Sequence, residues 1–292
     1  MSPLRPMHAS LPRLHTMPNH KRAERRSLTK WRGLRSTLRR REKAPLPDPE
    51  AARGEGRSDQ VEQRLRELER MQAKLERSAR LGSFQLESLI GLHSLVQPVA
   101  RVPPRPKWAA APDLVLAVVE AMRQLRPSLV IECGSGWSTL WLALAVRRFE
   151  LDGRIVALEH APEYAHRTQE LLESHNATEF AEVRVAPLEP LELDGQEWRW
   201  YARKAWDDLE KCGVLLVDGP PGKSSGKARY PAIPALATRL ETRIVVALDD
   251  ARRRHEREIV QAWLELDLGF STHDTELAKG ASILYRGAKP VL

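Results

Sequence analysis

From residue 113 onward, short runs of apolar, β-branched residues alternate with longer amphipathic stretches, and this alternation constrains the fold more than any other feature. The runs SLVIE (128–132), RIVALE (154–159), CGVLLVD (212–218) and RIVVALD (243–249) each have the length of a strand buried on both faces. Helical spacing falls at 113–125, 137–149, 162–175, 230–240 and 253–267. A further strand is expected at 182–186, and 270–276 and 281–286 read as two closing strands joined through Lys279-Gly280. Strands alternating with helices fold as a parallel sheet covered on both faces. The expected class is therefore α/β, a doubly wound, mostly parallel seven-stranded sheet. Ligands of such sheets bind beyond the carboxyl ends of the strands, so function is to be read there.

The chain has 292 residues and a formal charge of +8, which taken whole suggests a nucleic-acid partner. The charge is unevenly placed. Residues 1–57 hold 15 Lys/Arg against 5 Asp/Glu, a net of +10, and the remainder holds 32 against 34, a net of −2. The segment 1–57 is rich in Arg, Pro and Ser and poor in aliphatics, which predicts a disordered basic tail. Within it Leu28, Trp31, Leu34 and Leu38 recur at roughly helical spacing, suited to an anionic membrane surface or nucleic acid. An Arg-rich, acid-poor start also has the make-up of an organellar transit segment. No apolar run approaches the roughly 18 residues of a membrane span. Cys133 and Cys212 are the only cysteines, which excludes a disulfide scaffold or a cysteine zinc site. With no apolar h-region near the N-terminus, a cytoplasmic location is expected, peripheral to a membrane if the tail binds one.

Residues 58–107 read as a helical extension ending in a Pro-rich linker. Ser58 or Asp59 can cap a helix in which Val61, Leu65, Leu68, Leu75 and Ala79 form one stripe, interrupted by Gln72. A homodimer through a short coiled coil at 59–80 is one reading of that stripe, and a plain surface helix is the other. Gly82 is the expected break before a second helix running from Phe84 to Leu95. Pro98, Pro103, Pro104 and Pro106 then lead to Trp108, where the third segment, 108–292, begins.

The first strand ends in Glu132-Cys133-Gly134-Ser135-Gly136 and runs directly into a helix. Glycines at 134 and 136 let the backbone turn sharply and approach a ligand, and the helix that follows offers free N–H groups. A dinucleotide fingerprint would require a third glycine at 139, where Thr stands. The second strand ends at Glu159, where a carboxylate can accept both hydroxyls of a ribose. These residues together resemble a class I S-adenosylmethionine-dependent methyltransferase, a Rossmann-like family, over roughly residues 108–287. The resemblance implies that the glycine loop passes the methionine part of S-adenosylmethionine and the acid holds its ribose. The cofactor-binding residues so implied are Glu132, Gly134, Gly136 and Glu159.

Two later strands end in Asp218-Gly219-Pro220-Pro221-Gly222 and in Asp249-Asp250. Three carboxylates at adjacent strand ends are a hard-oxygen set suited to Mg²⁺. They repel one another unless a cation, a proton or basic side chains compensate. The alternative is that Asp218 caps its turn and Asp249 or Asp250 caps the next helix. The layout is similar to the catechol O-methyltransferase branch, where acids at these positions bind a metal that holds substrate hydroxyls. By that resemblance Asp218, Asp249 and Asp250 are the metal ligands, with Asp218 and Asp249 the catalytic pair. The branch places a Lys three residues after the first Asp; here Pro221 stands there, with Lys223 nearby and His160 and His255 as other proton acceptors.

Three other motifs point elsewhere. GPPGKSS at 219–225 lacks the glycine at 217 that a phosphate-binding loop needs, since Val217 stands there. Asp-Gly-Pro-Pro lacks the aromatic residue of the amino-group methyltransferase motif it superficially matches. Trp198, Trp200 and Trp206 beside Arg199, Arg203 and Lys204 can stack bases or sugars, or simply cover the sheet. The expected function is methylation of a small-molecule or glycan hydroxyl, with the substrate under the 219–230 loop and the 83–110 segment near Trp108. Two readings compete: a nucleic-acid-binding or nucleic-acid-modifying protein that uses the tail, and a catalytically silent relative.

Overall fold

The computed structural model describes residues 49–222, 226–273, 277, 278, 280–287 and 289–292, with the backbone alone for 49–59. The expected tail lies outside these residues up to 48, and Lys223 and Lys279 lie outside them too. Helix α1 spans Pro49–Val96. It begins earlier than the Ser58 cap that the sequence suggests, with Pro at a first-turn position where a missing N–H is harmless. It also runs through Gly82 without a break. Gly82 faces open space and an interior glycine costs a helix only about 1 kcal/mol, so the flanking turns carry it.

The strands are β1 (Leu129–Cys133), β2 (Arg154–Glu159), β3 (Ala181–Val185), β4 (Leu188–Leu193), β5 (Gln196–Tyr201), β6 (Cys212–Val217), β7 (Leu240–Leu248), β8 (Ser271–His273) and β9 (Ser282–Arg286). The helices after α1 are α2 (Pro112–Leu125), α3 (Trp137–Arg148), α4 (Pro162–Glu173), the single turn α5 (Ala232–Leu236) and α6 (Arg254–Glu265). Seven strands form one sheet in the order β3-β2-β1-β6-β7-β9-β8. The first five pair in parallel, while β9 runs antiparallel to both β7 and β8. The chain order reverses between β1 and β6, and a doubly wound sheet opens its ligand crevice at such a point.

Side chains alternate across this sheet into two cores, which explains why the strands read as unbroken apolar runs. Val130, Val214, Leu216, Val245 and Ala247 pack with α2 and α3, joined by Leu92 and Val96 of α1. Leu129, Ile131, Leu215, Val217, Val246 and Leu248 pack on the opposite side with α5, α6 and the hairpin β4-β5. That hairpin, which carries Trp198 and Trp200, is not among the strands expected from the sequence. Leu193 pairs with Gln196 across Asp194-Gly195, whose φ values of +51° and +75° give a tight turn. Asp-Gly suits such a turn because both central residues need positive φ. Trp200 and Trp206 are buried in the second core, so they cover the sheet. The segment 230–240 is shorter in helix than expected, with Pro231 and Pro234 limiting α5 before a 3-10 turn at Ala237–Arg239. No helix among the described residues is long and apolar enough to cross a membrane.

Candidate functional site

The glycine loop is shaped by its own backbone. Gly134 and Gly136 adopt φ of +107° and +138°, a region that side chains with a Cβ rarely enter. The Gly134 amide donates to Leu158 O at 2.9 Å, extending the β1–β2 ladder one residue beyond β1. On the other flank, the amides of Asp218 and Gly219 both donate to Cys133 O, at 3.0 and 2.6 Å, and the Asp249 amide donates to Val217 O at 3.0 Å. The ends of β1, β2, β6 and β7 are thus tied together by main-chain bonds, and they bring Gly134, Glu159, Asp218 and Asp250 to one cavity.

The cavity measures about 650 Å³ and is lined by these four residues with Ser135, His160, Tyr201, Gly219 and Arg229. That volume lies within the roughly 300–1,000 Å³ of small-molecule sites. Trp108, 69% exposed, and Lys107 also line it. The linker preceding α2 therefore reaches the site, as the sequence reading places it.

Glu159 closes β2, 5% exposed. Its Oε1 accepts from the Ala161 amide at 3.0 Å and lies 2.9 Å from His160 Nδ1, while Oε2 accepts from Ser135 Oγ at 3.1 Å. Ser135 Oγ is also 3.0 Å from Thr168 Oγ1, whose hydroxyl donates to Tyr164 O. A carboxylate held from three sides keeps a fixed direction while its remaining lone pairs stay able to accept from a diol.

Glu132 behaves differently from its expected role. It is fully buried and does not line the cavity. Its carboxyl accepts from Ser138 Oγ at 2.5 Å and Thr139 Oγ1 at 2.7 Å, and Thr139 Oγ1 in turn accepts from the Gly136 amide at 2.8 Å. Glu132 therefore positions the loop and the first turn of α3 from beneath. Burial pushes its pKa up from 4.5 to about 7; the two hydroxyls pull it down in part and the charge of Glu159 raises it further.

The three aspartates do converge: one carboxylate oxygen from each of Asp218, Asp249 and Asp250 lies within 4.8 Å of the others. Asp218 and Asp250 line the cavity, whereas Asp249 is fully buried and does not. Of the catalytic pair expected from sequence, Asp218 lines the cavity and Asp249 does not, and Asp250 stands at the wall beside Asp218. Asp250 holds a positive φ of +60°, a conformation that Asp tolerates better than most residues.

The residue that sequence reasoning missed is Arg229. It is buried, and its guanidinium donates to Asp249 O at 2.8 Å and to Asp218 O at 2.5 Å. The same group lies 3.4 Å from Asp218 Oδ1 and 3.5 Å from Asp250 Oδ2, and Arg253 adds a second cation 2.9 Å from Asp250 Oδ2. The available signal was the requirement itself: three facing carboxylates demand compensating charge. Tyr201 was missed as well. Its hydroxyl is buried with no hydrogen-bond partner among the described residues, beside Gly219, and burial raises its pKa well above 10. His255 packs near Gly226 and does not line the cavity.

Comparison with known proteins bears on the fold. The family described as "Methyltransferase domain" matches residues 131–251, from within β1 to just past Asp250. No curated protein matches the sequence. Among solved structures, the SAH-bound methyltransferase PaMTH1 of Podospora anserina superposes with a TM-score of 0.51 at 12% identity. The match covers 73% of this chain and 96% of that one, and it establishes likeness of fold. The O-methyltransferase of Bacillus cereus in complex with SAH gives 0.47 at 19% identity over 69% and 91% of the two chains. Residues 131–251 thus match the methyltransferase-domain family, and the fold is that of a solved methyltransferase.

Proposed function

We propose that the protein transfers a methyl group from S-adenosylmethionine to a hydroxyl of a small molecule or sugar, without a divalent ion. The observation that carries this reading is the single cavity spanning the glycine loop, Glu159 and the carboxylates Asp218 and Asp250. The residues present fit the cofactor. Gly134 and Gly136 leave room for close approach to its methionine part, and Glu159 offers fixed acceptors for its ribose. The cofactor, when bound, supplies an electrophilic methyl group on a sulfonium.

The chain's own part is to hold an acceptor oxygen in line and to remove its proton. Positioning is the main contribution, since a methyl transfer needs the reacting atoms in contact and aligned. Asp218 and Asp250 are the cavity carboxylates that take the proton of the acceptor hydroxyl. Arg229 fixes both by ion pairs and is itself fixed by two main-chain carbonyls. The residues fit a divalent ion poorly: a guanidinium already stands within 3.4 and 3.5 Å of two of the three carboxylates, and a second cation pairs with Asp250. A dication brought among them would face both positive groups at short range.

The test is methyl transfer from labelled S-adenosylmethionine to a panel of phenolic, aliphatic and sugar hydroxyls, run with a chelator and with added Mg²⁺. Turnover on a hydroxyl acceptor at equal rates in both conditions is expected. Transfer to amines alone overturns the acceptor class, and activity abolished by the chelator overturns the metal-free reading.

A further inference from the structure

We propose that residues 62–79 of α1 pair with the same residues of a second copy of this chain as a parallel, in-register two-stranded coiled coil. Every residue from Glu62 to Arg80 is exposed, so among the described residues this stretch of helix has no packed face. Its large apolar residues stand in water: Leu65 is 52% exposed, Leu68 57% and Leu75 70%. Helices in water draw most of their stability from packing of an apolar face, and no other described element provides it here.

The spacing is that of a heptad. Leu65, Gln72 and Ala79 occupy the a positions and Leu68 and Leu75 the d positions, a seam alternating by threes and fours. Two turns of such a seam bury leucine against leucine, and a single polar residue at an a position, as Gln72, is the device that fixes register in paired helices.

Charge then selects the partner and its direction. The e positions are Glu62, Glu69 and Glu76, and the g positions are Arg64, Met71 and Ser78. In a parallel pair of identical helices each g residue meets the e residue five positions on in the partner. Arg64 therefore faces Glu69 of the other copy, twice by symmetry, and Met71 lays its side chain beside Glu76. In an antiparallel pair e faces e, which sets Glu69 against Glu69 and Glu62 against Glu76. The first arrangement attracts and the second repels, so this chain complements itself in one orientation.

The test uses the full chain and light scattering over a range of concentrations. The wild type is expected at twice its 33.1 kDa, and Leu68→Glu with Leu75→Glu at the single mass with an unchanged melting temperature of the sheet domain. Arg64→Glu or Glu69→Arg alone is expected to weaken the dimer about ten-fold, and the two together to restore it. Ala79→Cys is expected to cross-link under mild oxidation, whereas an antiparallel pair holds the two positions about 27 Å apart along the axis. A wild type at the mass of one chain, a dimer that survives both leucine replacements, or failure of the double charge reversal to restore pairing would overturn the proposal.

Discussion

Replacing Glu132 by Gln removes one proton-binding group from the core, and its effect on stability depends on pH in a direction fixed by the structure. The carboxyl is fully buried beneath the glycine loop, and burial raises its pKa from 4.5 to about 7. A carboxyl whose folded pKa lies above its unfolded value binds its proton more tightly in the folded chain. Its contribution to stability is therefore greatest below the unfolded value and is lost as pH climbs toward the folded one. The rise from 4.5 to about 7 corresponds to about 3 kcal/mol in all, most of which is lost between roughly pH 5 and pH 8. Asp208 and Glu258 carry shifts of opposite sign, lowered by the Arg184 and Arg254 hydrogen bonds, and these cancel when variant and wild type are compared at each pH. Urea unfolding of both proteins at the two pH values measures the difference. Glu132→Gln should gain about 2–3 kcal/mol on the wild type as pH rises from 5 to 8. Identical pH dependence in the two proteins would refute the assignment of a protonated acid beneath the loop.

Other substitutions probe the neighbouring contacts. A Cβ at Gly219 would collide with the Tyr201 hydroxyl, so Gly219→Ala should destabilise by about 1–3 kcal/mol, with partial recovery in the Tyr201→Phe background, by thermal unfolding. Arg229→Met leaves the aspartate cluster without its buried partner and should cost about 3–5 kcal/mol, measured by urea unfolding at neutral pH. Cys133 and Cys212 are buried thiols whose pKa values burial pushes up, Cys212 to about 12, so a thiol reagent at neutral pH should label neither until the chain unfolds.

The sheet was legible from the sequence because its strands are buried on both faces and their apolar runs are bounded by glycines and acids. β2 and β6 begin where RIVALE and CGVLLVD place them, and β8 and β9 fall within the expected closing stretches. The hairpin β4-β5 was not legible from periodicity because its strands mix Glu, Arg and Trp; Asp194-Gly195 was the signal that marks it. The turn at Gly134 and Gly136 and the place of Glu159 at a strand end could be read because short-range geometry decides them: a turn needs positive φ, and a strand end faces the crevice. Glu132, Asp249 and Arg229 could not be placed that way. Whether a carboxylate faces the cavity or lies beneath it depends on strand alternation and on hydroxyls such as Ser138 and Thr139 that claim it first. Arg229 is remote in sequence from both Asp218 and Asp250, and reaches them only because β6 and β7 lie side by side.

The proposed function requires a cofactor site built from the glycine loop and Glu159. Calorimetric titration of the wild type and of Glu159→Ala with S-adenosylmethionine, with NAD and ATP as controls, tests it most directly. The wild type should bind S-adenosylmethionine and neither control, and Glu159→Ala should bind about a hundred-fold more weakly through loss of charge-assisted hydrogen bonds to the ribose. No binding by the wild type, or equal affinity in the variant, would contradict the site described here.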